Sequence, residues 1–214
     1  MFRRSFRNMG ILFCLTASLI LAPFCAAGSA AAGVVTAQVK ETVDKVISLS
    51  QDKNLKKPGK AAERRAAIRK VISQRFDFEE MARRSLAVAW QQRTPQERKE
   101  FVGLYTDLLE RSYMKRIEGY SNEKIVYLDE KIDGTYAVVR TKIITDRNVE
   151  IPIDYRLLDS IGKWIVYDVV IEGVSLVNNY RTQFSKIIRT SSYQELVKKM
   201  KNKQSEELFD EKGR

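Results

Sequence analysis

The sequence predicts a single α+β domain, in which helices come first, an antiparallel meander of about four strands follows, and helices end the chain. Two observations predict this order. From Val34 to Gly119, apolar residues recur at intervals of three and four, as in amphipathic helices. From Glu123 to Ile171 the period changes to two, as in strands, and the helical spacing returns after Gly173. Since the strands are polar on one side, we expect helices to cover the other side.

The first helices are defined by apolar spacing and by a capping signal. Val34–Ser50 and Ala61–Gln74 have helical spacing, and a polar break separates them. Asp77 followed by Glu80 is a capping box, because the first side chain can accept from a backbone N–H that the helix leaves free. The pattern predicts that this third helix runs on towards Trp90.

The next helix has the clearest boundaries in the chain. Thr94 and Glu97 form a second capping box, with Pro95 at the first helical position, and Gly119 ends the helix. One face is apolar and the others are charged, so we expect only that face to be buried. The residues of this face are Phe101, Leu104, Tyr105, Leu108, Leu109, Ser112, Tyr113 and Ile117.

Four segments alternate as strands do. They are Ile125–Ile132, Thr135–Thr145, Val149–Leu157 and Lys163–Ile171. Pro152 lies on the polar side of the third, which predicts an edge position or a bulge, because proline cannot donate to a ladder. The fourth is apolar at nearly every position, so we predict that it is the most covered strand.

The stretch Asp168–Phe184 joins the last strand, through a turn at Gly173, to a helix with an apolar stripe. Arg181 lies just outside the apolar stripe of this helix. Ser192 and Glu195 then form the cap of a final helix that bears Leu196, Val197 and Met200. The apolar stripe of the helix that follows Gly173 comprises Leu176, Val177, Tyr180, Phe184, Ile187 and Ile188.

Residues 1–32 have the composition of a secretory signal peptide. Three arginines precede a short apolar run, and small residues suited to cleavage follow near 27–32. A membrane anchor is the alternative, and Arg3-Arg4 leaves Sec and twin-arginine export both open. We therefore predict an exported domain at 33–200, followed by a charged, disordered tail at 201–214.

Composition excludes several classes of chemistry. Both cysteines, Cys14 and Cys25, lie in the predicted leader, and the chain has no histidine. The exported domain therefore lacks thiolate chemistry, disulfides and the commonest general base and metal ligand. The net charge of +11 falls to +8 without the three leader arginines, which favours an anionic partner. Export and the absence of gathered cations with aromatic platforms argue against nucleic acid.

Two charged residues allow more than one interpretation. Asp168 is alone in an apolar strand, so it is the one candidate acid for catalysis, or else a carboxylate bonded to a helix N-terminus or an arginine. Arg181 could meet a phosphate at the rim of an apolar surface. It could equally form a surface salt bridge, with Asp168 as the partner.

The apolar face of the sheet and the apolar stripes of the helices either pack on each other or enclose a cavity for acyl chains. Spacing alone leaves both open. In the second case we expect Arg181 near the mouth of the cavity. The residues expected at the walls are Leu104, Tyr105, Leu108, Tyr113, Val139, Ile143, Ile153, Tyr155, Val166, Tyr180 and Phe184.

The order and spacing of several motifs resemble the MlaC-type family of periplasmic phospholipid-binding proteins, also called toluene-tolerance proteins. The main motif is GVSLVxNYRxQF at 173–184. Further segments are Phe76–Trp90, the helix that opens at Thr94-Pro95, and the strand with Trp164 and Tyr167-Asp168-Val169. The resemblance covers about Val34 to Met200.

The resemblance implies a periplasmic, non-enzymatic shuttle that helps to maintain outer-membrane lipid asymmetry. It implies a hydrophobic pocket for phospholipid tails, with the lipid as cargo and with no other cofactor and no metal. The implied partners are an outer-membrane lipoprotein–porin complex and an inner-membrane ABC transporter complex with a lipid-binding substrate domain. A subgroup implies hopanoid-associated lipid instead. Two alternatives outside the family are an enzyme on a cone-shaped α+β scaffold with Asp168 as acid–base group, and a lipid-free adaptor.

Overall fold

The computed structural model describes residues 33–121 and 123–202. The predicted signal peptide and the tail beyond residue 202 lie outside the described residues. Within them, helices, strands and helices follow one another as predicted, so the α+β class is confirmed. The helices are α1 (Val34–Gln51), α2 (Ala61–Ser73), α3 (Phe78–Leu86), α4 (Val88–Gln91), α5 (Pro95–Glu118), α6 (Leu176–Thr190) and α7 (Tyr193–Lys201).

Side-chain caps begin the helices where the sequence places them. The Thr94 hydroxyl accepts from the Glu97 N–H at 3.2 Å, and the Glu97 carboxylate accepts from the Thr94 N–H at 2.8 Å, so this capping box is complete. Asp77 accepts from the Glu80 N–H at 2.9 Å. The Asp77 N–H instead donates to the carbonyl of Val166, which ties the start of α3 to the sheet.

The predicted continuous helix towards Trp90 is wrong, because the chain breaks at Ala87. This residue has φ 50° and ψ −124°, a conformation in which L-residues are strained. Its N–H donates to the Arg83 carbonyl and closes α3, and the single-turn helix α4 then starts at Val88. The sequence does not predict a break at Ala87, because glycine is the residue normally found in a conformation with positive φ.

We expect Ala87→Gly to raise the free energy of unfolding by about 1 kcal/mol, because relief of backbone strain outweighs the added unfolded-state entropy. The matched control is Ala66→Gly, an exposed position inside α2, which should lower it by about 1 kcal/mol. Urea unfolding of both variants measures the difference. Equal destabilisation of the two would show that Ala87 is not strained.

The sheet is antiparallel, with strand order β1-β2-β3-β4-β5. The prediction of about four strands missed the last one, a two-residue strand that pairs with the end of β4. Glu172 and Gly173 form the tight turn between them, and both have positive φ (49° and 81°). The strands are β1 (Lys124–Asp133), β2 (Tyr136–Ile144), β3 (Glu150–Ser160), β4 (Lys163–Ile171) and β5 (Val174–Ser175).

Pro152 lies on an inner strand, since β3 has β2 on one side and β4 on the other. The predicted edge position or bulge is therefore wrong. The Pro152 carbonyl accepts from the Glu172 N–H at 3.0 Å, just beyond the Ile153–Ile171 pair that ends the β3–β4 ladder. Because the N and C=O of one strand residue point to the same side, the missing N–H falls at this ladder end and costs one terminal bond.

The strand β4 has the most buried residues of any strand, as predicted. Its edge is covered at both ends. The Val166 N–H donates to Arg75 and its carbonyl accepts from Asp77, while β5 pairs with Val170 and Ile171. The chain around β4 therefore joins the helices to the sheet.

The described residues belong to one compact unit with two apolar clusters. The helical cluster lies between α3, α5, α6 and α7, and within it the ring of Phe184 meets the rings of Phe101 and Tyr105 edge to face. The sheet cluster lies between α1 and the strands. Phe76 and Tyr113 pack against both clusters. Among the described helices, none combines the length and the hydropathy needed to cross a bilayer.

Candidate functional site

A cavity of about 800 Å³ lies between the inner face of the sheet and helices α1, α2, α3 and α5. This volume is in the range of ~300–1,000 Å³ typical of ligand pockets. Most of the wall is aliphatic or aromatic. Its apolar residues are Val43, Val46, Ile47, Ile72, Phe76, Phe78, Met81, Leu109, Tyr113, Met114, Ile117, Tyr120, Ile125, Ile143, Ile151, Ile153, Tyr155, Val169, Ile171 and Leu176.

Local periodicity places these side chains on the wall. In β3, Ile151, Ile153 and Tyr155 are two residues apart along the strand, so all three point to one face of the sheet. In α5, Leu109 and Tyr113 are four residues apart and therefore share one helix face. The cavity is thus an apolar sheet face opposed by apolar helix stripes that do not meet.

Charged residues also line the cavity and indicate where it reaches solvent. Arg116 and Glu172 are exposed, and Arg69 is about half exposed. Arg69 forms an ion pair with Glu110. Arg116 makes no ion pair or hydrogen bond with another described residue, so its guanidinium is available at this edge.

Tyrosine hydroxyls add polar atoms to the mostly apolar wall. The Tyr155 hydroxyl makes no hydrogen bond with any other residue in 33–121 and 123–202, and burial raises the pKa of Tyr155 to about 12. Burial likewise raises the pKa of Tyr113 to about 12. Both side chains are therefore neutral at physiological pH, and Tyr155 is free to donate to an oxygen inside the cavity.

Asp168 is bound on both carboxylate oxygens and faces away from the cavity. Its Oδ2 accepts from Arg156 Nη1 at 3.1 Å and from Ser175 Oγ at 2.7 Å, and Oδ1 accepts from the Val177 N–H at 3.1 Å. The predicted carboxylate held by a helix N-terminus and an arginine is confirmed. The arginine is Arg156, so the alternative of a salt bridge between Arg181 and Asp168 is wrong.

These bonds give Asp168 a structural role at the start of α6. No cluster of three or more acidic, histidine or cysteine side chains within the described residues could hold a metal ion. The geometry offers an apolar container with a charged edge.

The model of the family described as MlaC protein matches residues 40–202, about three quarters of the chain. This chain belongs to the MlaC family. The resemblance carried by the 173–184 motif is therefore confirmed.

Two proteins similar to this MlaC-family chain are named for phospholipid transport or phospholipid binding. One is the intermembrane phospholipid transport system binding protein MlaC of Haemophilus influenzae, 25% identical over 151 residues that cover 68% of this chain and 70% of that protein. The other is the solved structure of a phospholipid-binding protein from Ralstonia solanacearum in complex with a phospholipid. It is 26% identical, covers 79% of this chain and 96% of that chain, and superposes with a TM-score of 0.71.

Four of the residues expected at the cavity wall of this MlaC-family protein lie there: Tyr113, Ile143, Ile153 and Tyr155. Seven others pack elsewhere. Tyr105, Leu108, Tyr180 and Phe184 belong to the helical cluster, with Leu104 packed against it, and Val139 and Val166 belong to the sheet cluster. Spacing identifies an apolar face, but it does not show whether that face meets a solid core or a void.

Arg181 is also placed away from the cavity. Its guanidinium donates to Asn178 Oδ1 and lines a separate polar pocket. The expected position near the cavity mouth is therefore corrected, and Arg116 lies there instead. Sequence reasoning missed Arg116 although it is three residues after Tyr113 on α5, beside the apolar stripe. It also missed Val43, Val46 and Ile47, because their helical spacing does not show that this face of α1 meets a cavity.

Proposed function

We propose that this chain is a periplasmic phospholipid carrier that holds acyl tails inside the cavity. The observation that carries the proposal is the apolar void of about 800 Å³ between sheet and helices. The Ralstonia relative, which shares the fold, is described in complex with a phospholipid. A lipid-free adaptor would be favoured by a filled interior, which this chain does not have.

Hydrocarbon burial is the energetic basis of the proposal. At about 0.8 kcal/mol for each CH₂ kept from water, the roughly thirty CH₂ groups of a two-tailed lipid represent on the order of 20 kcal/mol. A carrier must offset nearly all of this with apolar walls of its own. The aliphatic residues of β3 and α1 supply such walls here.

The headgroup would lie at the charged edge of the cavity. Arg116 is exposed there and can bind a phosphate bidentately, while Arg69 is partly neutralised by Glu110. Inside the wall, the unpaired Tyr155 hydroxyl can donate to an ester carbonyl of the lipid. Neither contact is needed to hold the tails, so both would tune headgroup and ester preference.

We further propose that the carrier works between the two membranes of the cell envelope. The name of the Haemophilus relative refers to intermembrane phospholipid transport. A lipid donor or acceptor at each membrane is required for any such shuttle. The outer-membrane lipoprotein–porin complex and the inner-membrane ABC transporter implied by the family are the proposed partners, and maintenance of outer-membrane lipid asymmetry is the proposed role.

Organic extraction of the chain purified from residue 33 onwards tests the proposal. We expect mass spectrometry to detect phospholipid bound to the purified protein, and a delipidated sample to take up labelled phospholipid from vesicles. Hopanoid or another polycyclic lipid in the extract would redirect the cargo within the same family. An extract without lipid, together with no uptake, would contradict the carrier.

A further inference from the structure

A second pocket, of about 370 Å³, lies apart from the lipid cavity. We call it the arginine pocket, because Arg83, Arg84, Arg156 and Arg181 all line it. The Arg83 and Arg84 side chains come from the last turn of α3, and the other two come from β3 and α6. Four cations from three elements therefore converge in one recess.

Strand alternation separates the two sites. Tyr155 and Val169 line the lipid cavity, whereas their chain neighbours Arg156 and Asp168 line the arginine pocket. Successive strand residues point to opposite faces, so the residues that β3 contributes to the two sites lie on opposite sides of that strand. No described residue lines both of them. Burial of acyl tails in the lipid cavity therefore does not account for the arginine pocket.

The charge in the arginine pocket is only partly neutralised by the protein. Asp168 pairs with Arg156, and Glu80 pairs with both Arg83 and Arg84. Four guanidinium groups thus face two carboxylates. Among the described residues, Arg84, Arg156 and Arg181 each use one N–H group in a hydrogen bond, out of five that a guanidinium carries.

Packing holds several of these side chains in place before any ligand arrives. The Arg84 guanidinium stacks over the Tyr167 ring, 4.1 Å from its centroid. Arg156 is fixed by Asp168 at 3.1 Å, and the strained residue Ala87 forms part of the wall. Preorganised guanidinium groups lose less conformational freedom on binding an anion than free side chains do.

The surroundings favour a protein segment over a flat lipid surface as the source of the anion. The pocket is concave and is lined by Tyr167 and by arginines, and tyrosine and arginine are enriched at protein interfaces. Val88 and Val174, next in the chain to lining residues, are 72% and 55% exposed, so some apolar contact area is available close to the recess.

We propose that the arginine pocket docks an acidic segment of a partner protein, with one or two carboxylates bound by Arg84, Arg156 and Arg181. Bidentate arginine–carboxylate pairing supplies orientation as well as affinity. Because the two pockets share no described lining residue, a bound partner would leave the edge of the lipid cavity accessible. The inference stands on charge and geometry and does not depend on which lipid is carried.

Fluorescence anisotropy with a labelled polyglutamate peptide tests the proposal on the chain from residue 33. We expect saturable binding that weakens with salt. In the double variant Arg84→Gln/Arg181→Gln, affinity should fall by about tenfold for each arginine removed. The matched control is Lys186→Gln/Arg189→Gln, which removes the same charge from the exposed second half of α6 and should change affinity less than about twofold.

Three outcomes would overturn the docking site. An equal loss of affinity in both double variants would show that only net charge matters. Saturation by inorganic phosphate without competition from the peptide would indicate a small-anion site. Binding to phosphatidylglycerol vesicles, lost in Arg84→Gln/Arg181→Gln while the peptide fails to bind, would indicate a membrane surface. Unfolding curves and lipid uptake from vesicles, both expected to be retained, separate this result from failure of the fold or of the carrier.

Discussion

Replacing Ile153 with tryptophan is expected to remove bound lipid while leaving the protein folded. Ile153 lines the cavity from the middle of β3, and its backbone carbonyl, which accepts from Thr141 Oγ1 at 2.8 Å, is unaffected by the change. The indole would occupy space proposed for acyl chain. Displacing even four CH₂ groups costs about 3 kcal/mol, or about a hundredfold in affinity.

Lipid content after extraction and uptake from labelled vesicles measure this effect. The matched control is Ile165→Trp on β4, which is partly buried like Ile153 but lines neither pocket. We expect the control to carry lipid as the parent chain does. If Ile153→Trp bound as much lipid as the control, the cavity would not be the carrier site, whatever the family of the protein.

Replacing Asp168 with asparagine is expected to lower the free energy of unfolding by about 2–4 kcal/mol, because a buried carboxylate with three hydrogen bonds loses its ionic acceptor. The amide oxygen can still accept from the Val177 N–H. The amide nitrogen can no longer accept from Ser175 or Arg156, so the junction between β4 and α6 loosens.

Urea denaturation midpoints, with an unchanged slope, measure this loss. The control is Asp129→Asn, since Asp129 pairs with Arg140 at 2.9 Å but both side chains are about half exposed, and we expect at most about 1 kcal/mol. Equal effects of the two substitutions would mean that Asp168 is not structural. The enzyme alternative would then regain support, since a buried carboxylate beside a polar pocket suits acid–base chemistry.

Features that depend on neighbouring residues in the chain were predictable. The Thr94 capping box formed with both of its bonds, and Gly119 caps the end of α5, because a cap needs groups within a single turn. The apolar stripe of α6 is buried from Leu176 to Phe184 as its spacing required. Family membership was likewise predictable from the spacing of motifs.

A bulge in β4 was not predictable and changes the assignment of faces. Val166 pairs with Leu157, and Asp168 pairs with Arg156, so Tyr167 is an extra residue between two pairs. Simple alternation would put residues 166 and 168 on one face. The bulge instead leaves Val166 in the sheet cluster and turns Asp168 towards the arginine pocket.

The sequence by itself determined the α+β order, the starts of α3, α5 and α7, and the apolar stripes of α5 and α6. These follow from periods of two and of three to four and from capping chemistry, all of which act over short distances along the chain. Only the tertiary structure decided that Tyr105 and Phe184 fill a solid cluster while Ile153 and Tyr155 line a void. The physical reason is that a void depends on the separation between layers, which is set by contacts between residues far apart in the chain.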